Sequence, residues 1–341
     1  MANVVLAGGF YTLLIDENCN LHSVGWNGGG RCGRERAEDC YTSEKIISQN
    51  VVSLSPTGLG HSMVIHCDGS VSACGINNAG QLGLGHFDNQ SRLSKINFED
   101  CIISVAAGFD HTLFLDEKHK VYSCGNNRQG QLGYAGENRT KPKQILNLPD
   151  IKAIVVNDSE SFFLDFEGNV WATPLLNQQF LRLHSLPPIS SIYGFGNKLY
   201  AIDDSGVVWE RTKYSPATQL PLSNVHNISV GYDVTFFLKN NGELYGSGTN
   251  EGGGLGAPVR GNLPQKIDLP PISFVSANYF HSVLVDTDGC LWSCGSNLYG
   301  ETLHPLAERI NTFRKCSLSF QVAPVPKIGY NTKSARKYFN L

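Results

Sequence analysis

Nowhere in its 341 residues does the chain have a run of about 18 apolar residues, the length that a membrane-spanning helix requires. It also has no excess of basic charge. Lys plus Arg number 27 against 30 Asp plus Glu, for a formal net charge of −3. That balance does not suit a protein that holds nucleic acid through its phosphates, and no direct DNA binding is expected. No Cys-x-x-Cys pair occurs among the 10 cysteines, and the Cys and His spacings fit no zinc pattern. No metal site and no cofactor are expected. Met1–Leu6 has neither a basic segment nor a long apolar run, so no secretory leader is expected. The thiols then belong to a reducing compartment, cytoplasmic or nuclear. Gly28–Gly30 and Gly252–Gly254 lack the Lys-Ser/Thr and the helix that a phosphate-binding loop needs. They read as loop spacers. No Ser-His-Asp signature is present, so no catalytic residue is assigned.

What the chain has is repetition, tested as a fixed period. Residues 101–133 hold three short runs rich in β-formers, Ile102–Ala106, Thr112–Leu115 and Val121–Cys124, each bounded by Gly, Asp or Asn. They read as three strands and two tight turns. The unit recurs, marked by Thr12, Ser62, Thr112, Ser161, Leu199, Thr235 and Ser282, at intervals of 36 to 50 residues. Six of the seven markers carry a hydroxyl, which can bond a nearby backbone group and fix the turn. Gly8, Gly58, Gly108, Gly231 or Asn278 stands four residues earlier, where a left-handed turn favours Gly or Asn. Third strands end in Gly-x-Asn at Gly25, Gly75, Gly125, Gly248 and Gly295, and Gly-Gln-Leu-Gly follows at Gly80 and Gly130. A fourth short strand ends near Ile46, Ile96, Ile145 and Ile267.

Four short antiparallel strands per repeat, seven times over, describe an all-β, seven-bladed β-propeller. One blade cannot bury both faces of its sheet, so each blade stacks on the next around a ring. The expected blades are about 1–50, 51–100, 101–150, 151–188, 189–224, 225–271 and 272–330, in one domain that is expected to be monomeric, followed by a tail at 331–341. The ring is expected to be closed by N- and C-terminal strands. Val325–Ile328 resembles Leu263–Ile267 and is read as a missing fourth strand against blade one. Blades four and five are short, with Trp171-Ala172-Thr173 and Trp209-Glu210-Arg211 in place of Gly-x-Asn. Blade seven reads as carrying a basic insertion with Arg309, Arg314 and Lys315.

The recurring residues read as architecture. Cys74, Cys124 and Cys294 are placed as small buried hydrophobes. His61, His111 and His281 directly precede the hydroxyl, and each imidazole is expected to bond within its own blade. Asp16, Asp116, Asp165, Asp203 and Asp286 read as turn chemistry. Asp110 and Asp233 share a turn position that varies between blades, and a varying position is free to serve a partner.

Ala-Gly-x-x-His-Thr, then Val-Tyr-x-Cys-Gly-x-Asn, then Gly-Gln-Leu-Gly resembles the repeat of the regulator of chromosome condensation family. Blades two and three match nearly throughout; blades one, six and seven match in part. A kelch or a WD repeat would need blade signatures that this chain lacks. The resemblance implies a seven-bladed propeller related to a guanine-nucleotide exchange factor for the small GTPase Ran. It also implies that Asp and His residues of the blade turns contact the GTPase, and that a β-wedge in one blade presses near the GTPase's phosphate-binding loop. Partner-binding candidates on this chain are therefore Asp110, Asp233, His61, His111, His281, Arg309, Arg314 and Lys315. The loops Gly25–Ile46, Gly75–Ile96 and Gly125–Ile145 are of ordinary length and suggest no wedge. Many relatives serve only as binding platforms, and some are bacterial effectors delivered into host cytosol. The expected function is regulation of a Ran-like GTPase; the alternative is a protein-interaction scaffold without exchange activity.

Overall fold

The computed structural model describes residues 4–35, 39–47, 50–55, 60–173, 180–213, 215–259, 261–318 and 321–324. Its strands form seven four-stranded antiparallel sheets, each built from four strands consecutive in the chain. The sheets are the blades of a ring, and the first strand of each lies innermost, along a central channel. Apart from one 3-10 turn at Gly28–Gly30, no helix occurs among the described residues.

Blade three shows why the sequence folds this way. Its inner strand Ile102–Ala107 pairs with His111–Asp116, which pairs with Val121–Gly125, which pairs with the outer strand Arg139–Gln144. Side chains on a strand alternate between two faces. Leu113 and Leu115 therefore point to blade four, where they join Ile154 and Phe163 in one core cluster. Phe114 points the other way, to Met63 and Ile65 of blade two. Both faces are covered, so the strand is a continuous buried run, as expected of a sheet packed on both sides. Each such Leu or Phe contributes about 1.5–3 kcal/mol by leaving water. The outer strand alternates exposed and half-buried residues, and Lys141, Pro142 and Lys143 make its free edge a poor template for another chain.

Polar joints stitch the blades near the channel mouth. Thr112 Oγ1 donates to the Gln81 carbonyl of blade two at 2.8 Å and lies 3.0 Å from His61 Nε2 of the same blade. The joint recurs as His111–Ser161–Gln131 and as His281–Thr12–Glu301. Tyr11 replaces the histidine between blades one and two, with its hydroxyl 2.9 Å from Ser62 Oγ. The expectation of an imidazole bonded within its own blade is thus corrected: each of the three rings reaches the next blade. The cysteines act at the same joints. Cys124 Sγ meets the Gln81 carbonyl at 3.5 Å and Cys294 Sγ meets that of Gly254 at 3.2 Å. The joint between blades four and five is ionic instead, with Arg211 Nη2 3.9 Å from Glu160 Oε1.

Closure joins the two ends of the chain. Blade one has its own outer strand, Cys40–Ile47. The supposed insertion of blade seven is that blade's own outer strand, Arg309–Lys315. The closing contact lies on the channel side. Val322 bridges Asp16, Glu17 N–H donates to the Gln321 carbonyl, and Ala323 N–H donates to the Ile15 carbonyl. In blade three, Ile102 pairs with Asp116, and Glu117 N–H donates to the Cys101 carbonyl. Gln321 and Val322 thus complete the inner strand of blade one. Val325–Ile328 and the tail lie outside the described residues.

Candidate functional site: the mouth of the channel

Two sets of connections make up one face of the ring: the turn between the first and second strands of each blade, and the loop between the third and fourth. The turns are rigid. Gly108 N–H donates to the His111 carbonyl, and Asn126 N–H donates to the Asp110 carbonyl, so the end of the third strand locks the turn. Gly125 makes the lock feasible. Its φ is +106°, and a Cβ there would sit 2.4 Å from the Asp110 carbonyl oxygen. The adjoining loop is clamped by Asn127, whose Oδ1 accepts from Leu132 N–H while its Nδ2 donates to the Tyr134 and Gly136 carbonyls. Asn77 and Asn297 repeat this clamp.

On this frame the candidate residues separate. His61, His111 and His281 have no exposed surface, because the joints enclose them. Burial holds their imidazoles neutral, down to about 4 for His61 and about 3 for His111 and His281. Asp110 stands at the rim, half-buried, and accepts from Asn126 Nδ2. Burial pushes its carboxyl up, against the pull of Asn126 and Arg128. Asp233 Oδ2 accepts from Thr249 Oγ1 at 3.2 Å and from Glu251 N–H at 3.1 Å, tying the turn to its own loop. Arg309, Arg314 and Lys315 are exposed on the outer strand of blade seven. Among the described residues, no three His, Cys, Asp or Glu side chains converge as a metal site.

The sequence reading passed over the residues one step before Asp110 in the turn. That position holds Gly9, Phe109, Asp158, Gly196, Tyr232 and Tyr279 in blades one, three, four, five, six and seven. Phe109 is 51% exposed and Tyr232 68%. Tyr232 stacks on Tyr279 at 4.9 Å, and Phe195 meets Tyr279 edge-on at 5.3 Å. The arc continues through Phe280 to Phe10, stacked at 4.4 Å, and on to Trp26 and Tyr299. Arg31 lies 4.0 Å from the Trp26 ring centroid. Phe10 holds φ at +65°, an uncommon backbone for a bulky residue. Behind the mouth runs the channel, about 310 Å³, walled by the seven inner strands. The signal for this site was positional, since the residues share a place in the turn and no residue type.

Two profiles of the regulator of chromosome condensation (RCC1) repeat match the chain, one over residues 68–115 and 118–163, the other over 102–131 and 272–301. Among solved structures, human WBSCR16 is similar at a TM-score of 0.73 and 17% identity, covering 86% of this chain and 92% of its own. Prp20p from Saccharomyces cerevisiae is similar at 0.56 and 22%, covering 92% and 76%. The ectodomain of the receptor kinase CR4 from Physcomitrella patens is similar at 0.51 and 13%, covering 86% and 72%. At these identities the likeness is one of fold. No curated protein matches by sequence.

Proposed function

We propose that this seven-bladed propeller, whose residues 68–163 and 272–301 match the regulator of chromosome condensation (RCC1) repeat, regulates a small GTPase of the Ran type, most directly as an exchange factor. The observation that carries the reading is the mouth face. Rigid turns there present side chains that differ from blade to blade, Phe109, Asp110, Asp158, Tyr232 and Asp233. A varying surface on an invariant frame suits a specific protein partner. The solved structure of Prp20p, which shares this fold, is described together with that protein's binding to Gsp1p and histones.

Exchange requires no nucleophile or general base from this chain. A factor that binds the nucleotide-free GTPase more tightly than the loaded form lowers the barrier to nucleotide release. Turns held by Gly125 and by the Asn127 clamp serve that role, because a preformed surface loses little entropy on binding.

A second reading, a scaffold without exchange activity, rests on the loops. Among the described residues no strand lies between the third and fourth strands of any blade, so no inserted hairpin stands in the place of a wedge. Pull-down with a nucleotide-free and a GDP-loaded Ran-type GTPase tests the proposal. Preferential capture of the empty form, weakened by Asp110→Lys without loss of folding, supports it. Equal capture of both forms supports the scaffold. No capture of either overturns the GTPase reading.

A further inference from the structure

Phe109, Asp158 and Tyr279 share one turn position in three blades, and all three line the central channel together with Phe195. Phe195 and Tyr279 meet edge-on at 5.3 Å with their planes 71° apart, and Tyr232 stacks on one face of the Tyr279 ring. Phe109 projects from blade three, half its surface exposed. Among the described residues no donor or cation pairs with the Asp158 carboxylate. The nearest charges of its own face reinforce that state. Asp110 repels it and, after burial, pushes its carboxyl up. Asp158 in turn, again after burial, helps push the Tyr279 phenol to about 12. Of the cations on this face, Arg128 acts on Asp110, and Lys213 Nζ donates to Ser159 Oγ at 2.9 Å and Gln129 Oε1 at 3.4 Å.

The channel is polarised from end to end. Lys152 and His226 hold the second place of their inner strands, Ile151–Val156 and Val225–Val230, at the end away from the mouth. Asp158 follows the other end of the Ile151–Val156 strand. Six residue steps run from Lys152 to Asp158, at most about 20 Å when extended. Lys152 Nζ is held by the Ser190 carbonyl at 3.1 Å. A cation entering at the mouth meets aromatic faces and a carboxylate, with the channel's own lysine far below.

We propose that the mouth is a receptor for one basic side chain, a lysine or arginine presented by a protein partner. The alkyl stem lies along Phe109 and Phe195, and the charged head rests between the Tyr279 ring and the Asp158 carboxylate. Ring faces attract cations within about 6 Å of their centroids, and a carboxylate beside them supplies the charge-assisted hydrogen bond. The exposed rings of Tyr232 and Phe109 flank the mouth and offer apolar cover to the backbone that carries the side chain. This assignment is independent of whether that partner is a GTPase.

Fluorescence anisotropy on the full chain tests it, with a fluorescein-labelled heptapeptide of alternating glycine and lysine as probe. Saturable binding is expected, and acetylation of the lysines is expected to abolish it. Asp158→Asn and Tyr279→Leu are each expected to weaken binding about fivefold or more. Asp204→Asn, an exposed carboxylate on the opposite face, is expected to leave affinity unchanged. Asp158 lies on an exposed turn, so Asp158→Asn decides the matter if Tyr279→Leu fails to fold. Equal binding of the acetylated peptide, equal weakening by Asp204→Asn, or no saturable binding would each overturn the assignment. Because no GTPase enters this assay, its failure leaves the GTPase reading standing, and the converse also holds.

Discussion

His111 Nε2 of blade three lies 3.2 Å from Ser161 Oγ of blade four, and the serine donates its proton to the Gln131 carbonyl at 2.7 Å. A hydroxyl has one proton, so Nε2 must be the donor to it. The ring is therefore the neutral Nε2–H form, and its buried Nδ1 has no hydrogen-bond partner. Ser161→Ala leaves a buried N–H and a buried carbonyl unpaired at once. A loss of about 2–4 kcal/mol is expected, read from urea unfolding with an unchanged m-value. A loss below about 0.5 kcal/mol would show that the joint is not a stabilising link.

The same joints set an acid limit. His61, His111 and His281 have folded values of about 4, 3 and 3, against about 6.5 unfolded. Below pH 6.5 the unfolded chain binds protons that the folded chain refuses. Stability is therefore constant above that pH and falls as pH drops, by about 1.4 kcal/mol per unit for each histidine. Below pH 4 a second set adds to it. Burial pushes Asp165 up, but Trp171, Asn169 and two backbone N–H groups pull it below the usual carboxylate value. Its stabilisation is present above about pH 4 and is lost as pH falls further. Urea midpoints at pH 7.5, 6.0 and 5.0 check the histidine part. A flat profile from pH 7 to pH 5 would contradict it.

Gly125 and Gly136 separate backbone strain from collision. Both have positive φ, +106° and +123°, yet a Cβ at Gly136 meets nothing within 4 Å, whereas at Gly125 it meets Asp110 O and His111 Cα. Gly136→Ala is expected to cost about 1 kcal/mol. Gly125→Val is expected to cost at least about 3 kcal/mol, since strain and a backbone clash add. Thermal melts of both variants check the order. Equal melting temperatures would show that the end of the third strand does not lock the turn.

Much of this fold was legible because a repeat prints its architecture seven times. The Thr112 hydroxyl, the Gly125 strand end and the Asn127 clamp recur in register, and they predicted strands, turns and blade count together. The destination of His111 was not legible. A repeat position looks the same whether its side chain meets its own blade or the next, and only the stacking of blades decides. The outer strand of blade seven was misread for a related reason: the bulky, basic alternation of Arg309–Lys315 read as an insertion. The mouth residues Phe109, Asp158 and Tyr279 were missed because they share no chemistry, although each stands one residue before the turn position, Asp110 in blade three, that was singled out for varying between blades.

Release of fluorescent GDP from a purified Ran-type GTPase, with and without this protein, tests the central claim most directly. The account predicts acceleration that rises with protein concentration through the micromolar range and is reduced by Asp110→Lys, a variant that keeps the wild-type melting temperature. Release at the intrinsic rate in the presence of micromolar folded protein would contradict the exchange-factor reading.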